Sequence, residues 1–210
     1  MRSAIWYFDF ISPFAYLQLA DIEALRDRLS IHPVPIVLAA LLKHHENIGP
    51  AEIPRKREFT YRFVQWRAEH AGIPLRFPPA HPFNPLAALR LCIAAGSTWQ
   101  AVRAIFDHLW RDGHFGDSAE QLDDVGKILG VGDVAAVIAQ EDIKRALRVN
   151  TEQALAAGVF GVPTLGIDDE LFWGCDATPM IEDWLADPLR FREGEYRRIA
   201  NLPMAVARKR

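Results

Sequence analysis

The run Ala4-Ile5-Trp6-Tyr7-Phe8 is apolar without a break and stops at Asp9-Phe10-Ile11-Ser12-Pro13. Such a run has no polar face, so a strand built from it must be covered on both sides, as a central strand beneath helices is. Pro13 cannot continue a strand ladder. Its fixed φ and missing N–H suit the first turn of a helix, with Ser12 as the cap. Phe14, Leu17, Ala20, Ile22 and Leu25 then trace a helical face to about Arg28, and a second strand is expected from Ile31 to Leu38. Strand, helix, strand is one parallel crossover unit, which commits the chain to an α/β fold.

From 39 to 157 the strand signal gives way to helical periodicity. Phe59, Phe63, Trp66 and His70 share one face of a helix expected between Pro54 and Gly72. Asn84-Pro85 reads as a cap and first-turn proline for a helix running to Gly96, and Trp99, Val102, Phe106 and Leu109 stripe the next. Ser118 with Gln121 predicts a capping box ahead of Leu122, Val125 and Leu129, and Asp142 opens a helix closing on Gly158. Strand character then returns. Val162 to Ile167, an Asp168-Asp169 turn and Leu171-Phe172-Trp173 predict a hairpin, followed by a closing helix capped at Thr178-Pro179. Residues 1–38 and 158–210 are thus expected to form one discontinuous domain, interrupted by an all-helical insertion over 39–157. The tail from Arg190 to Arg210, with six arginines and a lysine, shows little periodicity.

Half of the 210 residues are hydrophobic, so a substantial core is available. Lys+Arg 24 against Asp+Glu 27 gives a net charge of −3, which provides no basic field for a nucleic acid or an anionic membrane. No run approaches the roughly 18 apolar residues of a membrane span, and Asp9 interrupts the stretch a signal peptide would need; a soluble, cytoplasmic protein is expected. Cys92 and Cys175 are too few for a disulfide framework or a thiolate zinc site. The seven histidines show no pairing with carboxylates at metal-ligand spacing, so no metal is expected.

Strand-helix-strand, helical insert, proline-led hairpin and closing helix together resemble the thioredoxin-like fold of the disulfide-oxidase family and the kappa-class glutathione transferases. Those proteins carry their reactive group at the start of the first helix and oppose it with a cis-proline before the third strand. The matching positions are Ser12 and Pro163. A helix N-terminus offers unpaired N–H groups and a partial positive charge, which favour an anion held close by. The redox members hold a cysteine thiolate there. Ser12-Pro13-Phe14-Ala15 has no sulfur, so disulfide exchange through this site is excluded. A serine hydroxyl can instead donate to a thiolate brought by a ligand. A free thiol titrates near pH 8.5, and lowering that by about two units takes roughly 2.7 kcal/mol. A charge-assisted hydrogen bond and a helix end together fall in that range.

Three separated motifs narrow the resemblance. Phe8-Asp9-Phe10-Ile11-Ser12-Pro13-Phe14-Ala15-Tyr16-Leu17 is similar to the opening of the 2-hydroxychromene-2-carboxylate isomerases. Gly158-Val159-Phe160-Gly161-Val162-Pro163-Thr164 resembles their proline loop, and Trp173-Gly174-Cys175-Asp176 their glutathione-binding segment, which usually reads Trp-Gly-Asn-Asp or Trp-Gly-Ser-Asp. Asn47, Pro50, Pro54 and Lys56 keep the spacing of the family's loop and insert entry. The resemblance spans nearly the whole chain. It implies a glutathione-dependent isomerase of a small aromatic-derived carboxylate, acting as a homodimer, with Ser12 activating the glutathione sulfur. Val162, before Pro163, would pair with the cysteinyl backbone. Trp173, Gly174, Cys175 and Asp176 would form the segment at the γ-glutamyl end, the last three holding its amine and carboxylate, and Lys43 and Asn84 would contact the substrate.

Each of these residues also has a plain reading. Ser12 and Asn84 suit helix caps, Lys43 a solvated lysine, Pro163 a strand-initiating proline, Trp173 a core residue and Cys175 a small neutral contact. Where the family usually places Tyr, Asp and Arg, this chain has Phe59, Phe63 and Trp66, which points to a more apolar or larger substrate. A kappa-class-like transferase releasing the glutathione adduct, and a non-catalytic module binding an extended peptide at the proline loop, stand as alternatives.

Overall fold

The computed structural model describes residues 1–206. Its sheet has four strands, β1 (Arg2–Phe8), β2 (Leu29–Pro35), β3 (Thr164–Ile167) and β4 (Glu170–Trp173), in the order β2-β1-β3-β4. The β1–β2 pair is parallel, as the crossover predicts, while β1–β3 and β3–β4 are antiparallel. The first strand is covered on both faces. Trp6 and Phe8 enter an aromatic cluster with Phe10 and Phe106, whose ring centroids lie 4.6 Å apart. On the opposite face Tyr7 packs with Ile36, Leu41, Ala154, Val159 and Val162. Full burial of each large side chain contributes about 1.5–3 kcal/mol, which is why this strand anchors the sheet.

Around the sheet lie α1 (Pro13–Leu25), α2 (Leu38–His44), α3 (Pro54–Ala71), α4 (Leu86–Ala94), α5 (Trp99–Phe106), α6 (Ala119–Ile128), α7 (Val134–Ile138), α8 (Glu141–Ala156), α9 (Thr178–Ala186) and α10 (Gly194–Ala200). Helix α3 ends where the sequence says it must: Gly72 takes a φ of 64°, a left-handed cap that favours glycine. The main core is continuous from Trp6 and Leu165 in the sheet to Leu89, Leu122, Val134 and Leu147 in the helices between β2 and β3. Among the described residues no helix is long and apolar enough to cross a membrane.

Several local expectations are corrected. The second strand spans Leu29–Pro35, because the main-chain N–H of Leu38 is claimed by Asp9 and Leu38 opens α2. The Ser118–Gln121 capping box does not form. The Ser118 hydroxyl turns to Glu120, and the Gln121 amide oxygen reaches back to the N–H of Asp117. Asp142 lies inside the first turn of α8 rather than opening it. Thr178 caps no N–H of α9; its hydroxyl donates to the carbonyl of Cys175. Helix α7, capped by Asp133, had no counterpart in the periodicity. In the tail a 3-10 turn at Pro188–Arg192 and helix α10 are both formed, whereas Arg208, Lys209 and Arg210 lie outside the described residues.

Candidate active site

Strand register brings the separate motifs to one end of the sheet. Phe8 at the end of β1 pairs with Pro35 at the end of β2, Tyr7 pairs with Thr164 at the start of β3, and Thr164 pairs with Trp173 at the end of β4. The segments holding Ser12, Lys43, Val162-Pro163 and Gly174-Cys175-Asp176 therefore all leave from the same rim.

Ser12 is buried at the N-terminus of α1. Its Oγ accepts the N–H of Ala15 at 3.4 Å, so the capping reading holds. The hydroxyl proton has no acceptor among the described residues, which leaves it available to another acceptor. The loop before it is braced from three sides. Asp9, fully buried, accepts from the N–H groups of Leu38 at 2.8 Å and Ile11 at 3.1 Å. Burial pushes its carboxyl up to about 7 against the pull of those two bonds. The indole N–H of Trp110 donates to the carbonyl of Phe10 at 2.8 Å. His81 Nε2 donates to the carbonyl of Ile11 at 2.8 Å, and the Tyr61 hydroxyl lies 2.7 Å from both Nδ1 and the main-chain oxygen of His81. Burial lowers the pKa of His81, which favours the neutral ring.

The Val162–Pro163 peptide is cis. The Pro163 carbonyl accepts from the N–H of Gly174 at 2.9 Å, tying the two loops together, and the Thr164 hydroxyl donates to the Gly161 carbonyl at 2.8 Å within the proline loop. The main-chain N–H and C=O of Val162 have no partner among the described residues, as an extended ligand backbone would require.

Trp173 is 56% exposed, which overturns its core reading. Its ring lies edge-on to Phe160 at 5.3 Å, and its indole nitrogen would be 2.6 Å from a Cβ at residue 161, a space only glycine leaves. Gly174 has a φ of 93°. The Gly174 carbonyl is held by Gln18 Nε2 at 3.1 Å, while Gln18 Oε1 accepts from the Trp6 indole N–H at 3.0 Å. Cys175 is buried, which pushes its thiol up to about 11; a neutral contact fits it and a thiolate does not. Asp176 is exposed.

Lys43 is exposed on α2 and forms no ion pair among the described residues. The N-cap of α4 is Pro85, without a side-chain cap, so the expected Asn84 cap with proline at the first helical position is corrected; Asn84 lies one residue before it and accepts the N–H of Leu86 at 3.1 Å. The three aromatic replacements on α3 form an outward ladder. Phe59 and Phe63 stack at 5.9 Å and 10°, Phe63 and Trp66 at 6.0 Å and 16°, and Phe14, two residues after Ser12, meets Phe63 at 6.4 Å. Phe59 is 61% and Trp66 51% exposed, so the ladder is no core stripe.

Sequence reasoning did not assign Asp9, Gln18, Tyr61, His81 or Trp110 to the site. A lone charge ending an apolar strand was a signal for Asp9; the others act on main-chain atoms far along the chain and leave no local pattern. Among the described residues no three His, Cys, Asp or Glu side chains gather in a metal-holding cluster.

Comparison with known proteins gives a consistent picture. Residues 5–186 match the family described as DSBA-like thioredoxin domain. A 2-hydroxychromene-2-carboxylate isomerase of Pseudomonas sp. (strain C18) is 30% identical over 185 residues, covering 85% of this chain and 87% of the relative. A glutathione S-transferase kappa 2 of Caenorhabditis elegans is 27% identical over 207 residues, covering 88% and 92%. A solved 2-hydroxychromene-2-carboxylate isomerase superposes with a TM-score of 0.77 at 27% identity, covering 90% of this chain and 96% of its own. The chain belongs to the DSBA-like thioredoxin domain family, among relatives named 2-hydroxychromene-2-carboxylate isomerases and kappa-class glutathione transferases.

Proposed function

We propose that the protein is a glutathione-dependent isomerase of a conjugated, aromatic-derived carboxylate. Glutathione lies along the Val162-Pro163 edge with its γ-glutamyl end at Gly174-Asp176 and its sulfur at Ser12. The Ser12 hydroxyl and the N-terminus of α1 favour the thiolate over the thiol. The thiolate adds to the substrate's conjugated double bond, leaving a single bond about which rotation is easy. Elimination then restores the double bond and releases the thiol unchanged, so glutathione is a cofactor. Lys43 supplies a cation for the substrate carboxylate, and the α3 ladder an aromatic wall; Asn84, just before α4, borders the substrate.

The observation that carries the reading is the unshared Ser12 proton on a braced helix start, at the same rim as the unpaired backbone of Val162. Titrating glutathione into the protein while following thiolate ultraviolet absorbance tests it. Wild type is expected to develop the thiolate band at neutral pH, and Ser12→Ala to bind glutathione without it. An equal band in both proteins overturns the role of Ser12.

A kappa-class-like transferase shares every activating group, and a relative so named supports it as the second reading. Incubation with glutathione and a conjugated enone separates the two: isomerisation leaves free thiol constant, and net transfer consumes it. A peptide-binding module would show neither thiolate formation nor turnover.

A further inference from the structure

The peptide unit between Ile11 and Ser12 is gripped at both ends. Its N–H donates to the Asp9 carbonyl at 3.0 Å, and its carbonyl accepts from His81 Nε2 at 2.8 Å. A planar peptide held through both of its hydrogen-bonding groups is no longer free to turn, so it fixes the direction in which the Ser12 side chain leaves the chain. A carbonyl only accepts, so Nε2 carries the ring proton and Nδ1 is left as an acceptor. The Tyr61 hydroxyl, 2.7 Å from Nδ1, supplies the matching donor and holds that tautomer. It lies equally close to the main-chain oxygen of His81, so one hydroxyl steadies both the ring and the backbone that carries it. His81 stands in the segment between α3 and α4, and four rings wall it in: Tyr61 at 5.3 Å, Trp110 at 5.4 Å, Phe83 at 6.0 Å and Phe77 at 6.3 Å. The enclosure gives the imidazole one place to sit. Tyr61 ties that place to α3, the helix of the aromatic ladder.

We propose that His81 is a positioning residue for the reaction at Ser12: its Nε2–H, oriented by Tyr61, holds the Ile11 carbonyl so that the Ser12 hydroxyl meets the glutathione sulfur. The assignment rests on the glutathione reading above. Neither side chain need touch the sulfur; both act through where they put the oxygen that does. A misplacement of about 1 Å is enough to cost about a hundredfold in rate.

The test follows the thiolate absorbance of bound glutathione against pH in wild type and four variants. His81→Leu is expected to raise the pH at which bound glutathione ionises by about one unit, an about tenfold loss of thiolate at neutral pH. Its affinity for glutathione at about pH 5, where the ligand is bound as the thiol, is expected to stay that of wild type. His81→Gln places an amide donor where Nε2 stands and is expected to restore most of the ionisation, although it rebuilds none of the aromatic packing. Tyr61→Phe is expected to give a smaller rise, and the double variant His81→Leu with Tyr61→Phe no more than His81→Leu alone, since the two groups act in series. Thermal melts identify any loss of fold; should His81→Leu not fold, Tyr61→Phe decides. Ionisation at the wild-type pH in folded His81→Leu or in Tyr61→Phe, or no recovery in folded His81→Gln, overturns the positioning role and leaves the glutathione reading standing. Wild type developing no thiolate band overturns both.

Discussion

At position 12 one oxygen accepts from Ala15 N–H at 3.4 Å and keeps its own proton for another acceptor. Ser12→Ala removes both functions, and they separate in measurement. Loss of the cap is expected to cost about 1 kcal/mol in chemical denaturation, far too little to unfold a domain of this size. Loss of the donor is read only in the thiolate titration. Asp9 behaves differently, because its carboxyl is raised to about 7 by burial while an unfolded Asp titrates near 4. Between those values the folded chain holds a proton that the unfolded chain has released. The contribution of Asp9 is therefore fully present below about pH 4 and is lost as pH rises to about 7. Denaturant melts from pH 4 to 7 should show this decline superimposed on the other titrations, and Asp9→Asn should flatten it. The capping by Ser12 was legible from its place between an apolar strand and a proline. The bracing by His81 and Trp110 was not, since each reaches a carbonyl many residues away and nothing local marks it.

Between elements, Gln18 is the connection with the greatest reach. Fully buried in α1, it joins the Trp6 indole of β1 to the Gly174 carbonyl beyond β4. Gln18→Ala leaves a buried donor and acceptor unsatisfied, at about 1–3 kcal/mol for each group. We expect a stability loss of at least about 2 kcal/mol in denaturation and weaker glutathione binding, because the Gly174 loop loses its tether to the helix that carries Ser12. The crossover and hairpin were legible because an apolar run, turn residues and prolines specify them locally. The short helix α7 was not, since five residues give too little periodicity to register. The Ser118 box failed for a related reason: with Glu120 two positions on, the hydroxyl had a competing acceptor that a pattern of spacing does not weigh.

For the molecule as a whole, the continuous core joins the sheet to the helices between β2 and β3. Leu89, fully buried in α4, belongs to that core. Leu89→Ala is expected to cost about 2–5 kcal/mol and to shift far-ultraviolet circular dichroism and tryptophan fluorescence transitions together, since the main core takes in residues of both the sheet and the helices between β2 and β3. Two separated transitions would show that the insertion melts by itself. The sequence motifs named the parts of the rim in order, yet only the register of β1, β3 and β4 shows why segments so far apart in the chain come together. The opposite end of the sheet carries the Asp168–Asp169 turn, fastened to Arg2 by an exposed ion pair at 3.1 Å and remote from every group assigned to binding or chemistry. That turn is a natural handle: a peptide tag or surface anchor grafted there would orient the molecule with its working end outward, ready for sensing or immobilised turnover.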